Sequence, residues 1–407
     1  MGGAHSHTGT GTEHVQTART PRVVLLTGLA LVAVATVVGL VVFWPSGERP
    51  SAEFSAPGVT FPQATVVTVH EPCPVIVADP SAPPAEREDF PELCNKLDAE
   101  LASGETVTVD APPGVVTSGL EHGDEIKLSA IPTPGGGPTV YSWYSTERDF
   151  PLGLMTALFV VVVAFVARLR GVLALVGLGF AGLVVWKFML PALLDGGSGL
   201  GVALTASAAI MFVVLYLAHG PSVRTSTALA GTLAGVGIIS LLTVYAVDAV
   251  RLSGLGHDAE FLRTLTPDLD FRGVLTCAII IAGLGILNDV TITQSSSVWE
   301  LRAAAPEMSR RQLYASAMRI GRDHIASTIY TIVFVYAGTA IAALMLIALY
   351  DRSFTDVVSS DAIAEEIVRT LASAVGLVLA VPATTAIAAA TVTGAATARA
   401  GSAAERL

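Results

Sequence analysis

Apolar residues in this 407-residue chain are gathered into long runs instead of being spread along it. An α-helix needs about 20 mainly apolar residues to cross the ~30 Å hydrocarbon core of a bilayer. Eight stretches meet or approach that length, near 23–44, 152–167, 171–194, 200–218, 226–247, 272–293, 324–349 and 367–392. They predict an α-helical polytopic membrane protein with about eight transmembrane helices. Only 14% of the residues are charged, against about 25% in soluble domains, which excludes an ordinary soluble enzyme. The net charge of −11 argues against a nucleic-acid partner, because phosphates call for a basic surface.

The flanks of the runs set their roles. Arg19 and Arg22 precede the first run, as in a signal peptide. Its span from Val23 to Trp44 is longer than the ~7–15 residues of a signal-peptide apolar region, and no small-x-small cleavage site follows. The reading is therefore a cytoplasmic tail at 1–22 and a permanent anchor at 23–44. Arg168, Arg170 and Gly171 predict a tight turn between the second and third runs. Eight spans with the N-terminus inside also place 168–170, 219–225, 294–323 and the tail at 397–407 inside. Those segments, counted with Asp289, hold 12 of the 23 basic residues but only 6 of the 34 acidic ones. Lys and Arg concentrate on the cytoplasmic side of membrane proteins, so a bacterial plasma-membrane protein with both termini cytoplasmic is expected.

Residues 45–150 are different material, Pro-rich and acidic, with short alternating stretches. Ala64–His70, Glu105–Asp110, Glu125–Ala130 and Thr139–Tyr144 read as strands. Pro112-Pro113-Gly114 and Gly135-Gly136-Gly137-Pro138 punctuate them. A small β-barrel or sandwich, extracytoplasmic and inserted between the first and second spans, is expected. Cys73 and Cys94 fall within it on the oxidising side, which favours a disulfide. Cys277 reads as a buried apolar residue of the sixth span. The acidic run from Ser81 to Asp98 reads as a solvated loop, and His5, His7 and His14 as part of a solvated tail. No metal or cofactor site is expected.

Gly177-x-Gly179-x-x-Gly182 matches a dinucleotide fingerprint in letters, but it lies inside an apolar span with no strand before it. Close helix packing by small residues explains it better, as it does Gly231-x-x-x-Gly235. What remains lies between Gly283 and Tyr336. Asn288 and Asp289 sit inside the sixth run, near its cytoplasmic end. A carboxylate at the centre of a bilayer costs about 2.5–3.5 kcal/mol on insertion scales, and such groups usually face the bundle interior. Arg322 and Asp323 occupy the matching depth at the start of the seventh run. With Thr291, Thr293, Gln294 and Ser295-Ser296-Ser297 they could line a vestibule or relay a proton. The competing reading is structural, with Asp289 paired to Arg322 or capping a helix. Between the two runs, Trp299–Arg319 reads as a cytoplasmic helical hairpin broken at Pro306 and capped by Ser309. Arg302, Arg310, Arg311 and Arg319 give it a basic face suited to anionic lipid or to a cytoplasmic partner protein.

From about Glu147 to Tyr350 the chain resembles the YibE/F-like family of bacterial membrane proteins. The likeness rests on GLGILNDV, SSSVWEL, RRQLYASAMRIGRDHIAS and the closing Tyr336-Ala-Gly338. It implies the same layout of an anchor, a β-rich segment and then a bundle of spans over 151–396, and it implies no substrate. The chain departs from the family's pattern at Asn288, where a bulky apolar residue is common, and at Tyr330, where Asn is usual. On the residues alone, a permease or transporter component using Asp289 and Asp323 ranks first. The membrane subunit of a larger complex comes second, and an envelope scaffold third. Gly283 and Gly285 interrupt the sixth span just before Asp289, as in transporter sites. An intramembrane enzyme ranks last, because the Asp323-His324 pair is joined by no nucleophile or metal set.

Overall fold

The computed structural model describes residues 15–47, 55–74, 93–133, 135, 137–256, 259–349 and 353–393. Most of the acidic run from Ser81, and His5, His7 and His14, lie outside the described residues. The chain divides into two compact units, one over 51–162 and one built from 1–50 and 163–407.

The smaller unit is a single antiparallel sheet of β1 (Gln63–Val69), β2 (Lys96–Leu101), β3 (Thr106–Asp110), β4 (Glu125–Thr133) and β5 (Gly137–Thr146), in the order β3-β2-β1-β4-β5. The strand β1 pairs with β2 along its length and with β4 at its start, with an irregularity between Val66 and Thr68. The edge strands β3 and β5 approach each other. A short helix, α2 (Pro113–Val116), joins β3 to β4. With its two edges approaching, the sheet curls into a partly open five-stranded barrel. Alternation turns Val66, Leu97, Val109, Ile126 and Leu128 into a common core. Cys73 and Cys94 are disulfide-bonded across the β1–β2 connection, with their Cα atoms 4.8 Å apart. On β2, the Asp98 carboxylate accepts from the Thr108 hydroxyl at 2.5 Å and contacts His70 Nε2 at 2.8 Å. The Thr108 bond, followed by His70, holds the Asp98 carboxyl below the ordinary Asp range.

The larger unit is helical. It contains α1 (Arg19–Val42), α5 (Gly199–His219), α6 (Val223–Ala249), α7 (Ala259–Leu265), α8 (Phe271–Ala304), α9 (Arg310–Thr339), α10 (Ile341–Leu349), α11 (Phe354–Val358) and α12 (Asp361–Thr391). The helix α3 (Asp149–Val184) crosses from one unit to the other, then continues through a π-helical turn into α4 (Leu190–Leu194). Side chains cap several starts: Ser198, Ser222, Asp270 and Ser309 each accept a backbone N–H of the first turn. At α9 the cap is reciprocal, because Gln312 Oε1 also accepts from the Ser309 N–H at 3.0 Å.

Six helices among the described residues are long and apolar enough to cross a membrane: Arg19–Val42, Asp149–Leu194, Gly199–His219, Val223–Ala249, Phe271–Ala304 and Asp361–Thr391. The eight expected runs reduce to six for two reasons. The second and third runs fall within one 46-residue helical stretch, roughly 70 Å long if it were straight. It is not straight, because Arg168 breaks it with a left-handed backbone (φ 54°). A Cβ on Gly171 would lie 2.5 Å from the Val163 carbonyl oxygen, so the chain bends back sharply there. The seventh run is divided between α9, whose first half is polar, and the nine-residue α10.

The helices α6, α8 and α12 pack on one another to form the centre, with α5 against α8 and α6, α1 against α5, and α9 against α12 and α8. Within this core Gly231 faces Thr384 and Gly235 faces Leu287 and Ala380, leaving no room for a Cβ at either position. The other glycine motif behaves differently. Gly177 touches Val214, but Gly179 and Gly182 have open space around them, so only its first glycine serves packing within the chain. At one end of the bundle the N-terminal segment pairs with the end of α12, through Thr17 opposite Val392 and a 2.8 Å bond from Thr393 N to Gln16 O.

Candidate functional site

Gln294 lies in α8 with only 3% of its surface exposed. Its Nε2 donates to the Ala317 carbonyl of α9 at 2.9 Å and to the Thr385 hydroxyl of α12 at 2.8 Å. One amide therefore joins three helices. The close approach of α9 depends on Gly321, where a Cβ would stand 3.0 Å from Gln294 Oε1 and 2.7 Å from Val381.

A turn earlier in α8, the Thr291 hydroxyl lies 2.6 Å from that of Thr232 on α6. Each also reaches the carbonyl four residues back, Leu287 at 2.9 Å and Ala228 at 3.0 Å. Thr291 also reaches the Asn288 carbonyl at 3.2 Å, so two hydroxyl protons face four contacts. Ser295 donates to the Arg224 carbonyl at 2.9 Å, tying α8 to α6 again. Near the middle of α8, Asn288 Oδ1 is buried with no hydrogen-bond partner among the described residues. A buried acceptor left unmatched is costly. Together these groups make a polar line through the α6/α8/α12 core, among Leu287, Val290, Val381 and Leu377.

The residues singled out in the sequence do not gather at one point. Asn288 and Gln294 belong to this interior line. The Asp289 side chain is 71% exposed and lies 3.8 Å from His324 Nε2 of α9, which is itself part-buried. Arg322 and Asp323 are exposed on α9. Asp289 and Arg322 do not form an ion pair among the described residues; the imidazole of His324 lies 3.8 Å from the Asp289 carboxylate. The expected hairpin at Trp299–Arg319 consists of the last turns of α8 and the first turns of α9. Its basic face needs one correction. Arg302 is 3% exposed and turned inward, where Nη1 donates to the Pro306 and Met308 carbonyls at 3.0 and 2.7 Å. Arg310, Arg311 and Arg319 remain exposed.

Some polar groups escaped the sequence reading. Thr232 and Thr385 look like ordinary span residues until their partners are known. Glu365, Glu366 and Arg369 lie in the first turns of α12, which the hydropathy pattern started at 367. Their spacing on one helix was the available signal.

Fold and site together define an α-helical integral membrane protein with a polar line through its helical core and a small β-sheet unit near its N-terminus. A sequence profile described as YibE/F-like protein matches residues 155–394, more than half of the chain. The chain belongs to the YibE/F-like family. No curated protein and no solved structure matches it.

Proposed function

We propose that the protein is a permease, or the translocating component of one, in the bacterial plasma membrane. The observation behind the proposal is the set of polar side chains Asn288, Thr291, Thr232, Gln294 and Thr385 where α6, α8 and α12 meet, with Asn288 Oδ1 unmatched among the described residues. Packing alone gives no reason to leave Asn288 Oδ1 unmatched, whereas a passing solute or water could supply the missing donor. In this reading the chain crosses the bilayer eight times. The two crossings beyond the six long apolar helices come from the bend at Arg168 and from α9. The helix α9 runs antiparallel beside α8, as the Ala317–Gln294 and His324–Asp289 approaches indicate. Both termini are cytoplasmic and the sheet unit is extracytoplasmic. Asp289, Arg322 and Asp323 act near the cytoplasmic gate, and the mechanism involves no catalysis and no cofactor.

The test compares metabolite profiles, inside and outside, of cells lacking the protein, cells carrying it and cells carrying Asn288→Leu. The reading predicts a solute or ion whose distribution depends on the unsubstituted protein and reverts in the variant. Identical profiles in all three would contradict it.

A second reading is the membrane subunit of a complex, favoured by the outward face of α9. Arg310, Arg311, Arg319, Arg322 and Asp323 are all exposed there, which suits a protein partner or anionic lipid. Here a stoichiometric partner should co-purify and be lost on Arg310→Glu with Arg311→Glu.

A further inference from the structure

A groove of about 560 Å³ runs along α1 where that helix meets α6 and α12. Its lining includes Pro21, Gly28 and Val32 of α1, Leu233 and Ala234 of α6, and Ile387 of α12. All three helices are long and apolar enough to cross a membrane. A Cβ on Gly28 would meet no atom within 4 Å, so the missing side chain leaves that space free.

The lining has little to offer a polar occupant. Its one hydroxyl, on Thr391, donates to the Ile387 carbonyl at 2.6 Å, and the Thr391 carbonyl accepts from the Ala18 N–H at 2.8 Å. A buried water needs about two to four polar partners, so water does not fill this space. A protein helix does not fit either. It is about 10–12 Å across, and over the same length it would need roughly twice the groove's volume. From Pro21 to Val32 the groove follows α1 for roughly 16 Å. That is about half of the ~30 Å hydrocarbon core, the depth of one leaflet. At the Pro21 end, Arg19 and Arg22 are exposed, and neither forms an ion pair among the described residues.

We infer that the groove binds one anionic phospholipid, with an acyl chain lying along α1 and the headgroup phosphate at Arg22 and Arg19. A hydrocarbon chain matches both the dry lining and the leaflet-deep length. The arginines set the choice of headgroup. Each Lys or Arg near the membrane surface strengthens attachment to anionic lipid about fivefold, and an Arg stem can lie along apolar surface while its guanidinium stays at the interface. The inference does not rest on the permease reading, because it needs only that α1, α6 and α12 span the membrane.

The experiment is native mass spectrometry of the purified full-length protein in detergent, titrated with dioleoylphosphatidylglycerol. Dioleoylphosphatidylcholine, with the same chains and no net charge, is the comparison probe. The expected result is one retained phosphatidylglycerol per chain, held at least tenfold more tightly than phosphatidylcholine. Gly28→Leu fills the groove and keeps both arginines, so it should weaken either lipid at least tenfold. Ala30→Leu adds similar bulk at an exposed position of α1 outside the groove and should leave binding unchanged. Arg19→Gln with Arg22→Gln should reduce the preference for phosphatidylglycerol to under threefold while the groove still takes phosphatidylcholine. No retained phosphatidylglycerol, equal losses in Gly28→Leu and Ala30→Leu, or an undiminished preference without the arginines would each overturn the inference.

Discussion

Gln294 and Asp289 are five residues apart on α8, yet they have opposite surroundings, and the difference governs what substitution should do. Gln294 is buried and bonded to two other helices. Hydrogen bonds between membrane helices average about 0.6 kcal/mol and reach about 1.7 kcal/mol. Gln294→Leu should therefore lower the melting temperature modestly, and, if the proposed permease reading holds, reduce the solute flux found for the unsubstituted protein at least tenfold, as thermal unfolding and uptake measured on the same preparation would show. A large loss of stability with normal uptake would make the amide a structural tie only. Asp289 is exposed, and its partner there is the His324 imidazole, 3.8 Å away. Exposed pairs of this kind contribute under about 1 kcal/mol, so Asp289→Asn should leave unfolding nearly unchanged. On the proposed permease reading, a drop in flux in that variant would then come from the proposed gate and not from the fold.

The ends of elements carry the next set of expectations. Arg302 holds the turn between α8 and α9 by donating to Pro306 and Met308 from a buried position. Hydrogen bonds from charged groups contribute about 1.5–3 kcal/mol, so Arg302→Met should destabilise the bundle by a few kcal/mol, readable as a loss of amide-exchange protection around 302–309. In the sheet unit, the Cys73–Cys94 bond closes a connection with a sequence separation of 21, and chain-entropy arguments give about 3 kcal/mol for such a loop. Cys73→Ser with Cys94→Ser should lower its stability by that order. Asp98 titrates below its unfolded counterpart. Its contribution is thus present above the ordinary Asp range and is lost as pH falls through the folded value, giving an acid limb below about pH 4. Asp98→Asn should flatten that limb. Four of the five strands were legible because β-branched and aromatic residues alternate in them. The strand β2, reading Lys-Leu-Asp-Ala-Glu-Leu, was not, because small Ala99 and three charged positions hide the buried set Leu97, Ala99 and Leu101. Asn288 and Gln294 stood out as polar residues within an apolar run. Thr232, Thr385 and Glu365 did not, since their role depends on which helices become neighbours.

At the scale of the whole molecule, the helices α6, α8 and α12 meet along a line of buried polar groups that bond across them. The N-terminal segment pairs with the end of α12, so tags at the two termini should report the same side of the membrane. The most direct measurement is thiol accessibility in intact cells and inverted vesicles, using Cys277→Ala and single cysteines placed at Thr232, Asn288 and Gln294. The account predicts that a membrane-impermeant methanethiosulfonate labels at least one of these positions from at least one side, showing that water reaches the line. If all three stay unlabelled from both sides while the variants remain folded, the line is sealed packing and the permease reading fails.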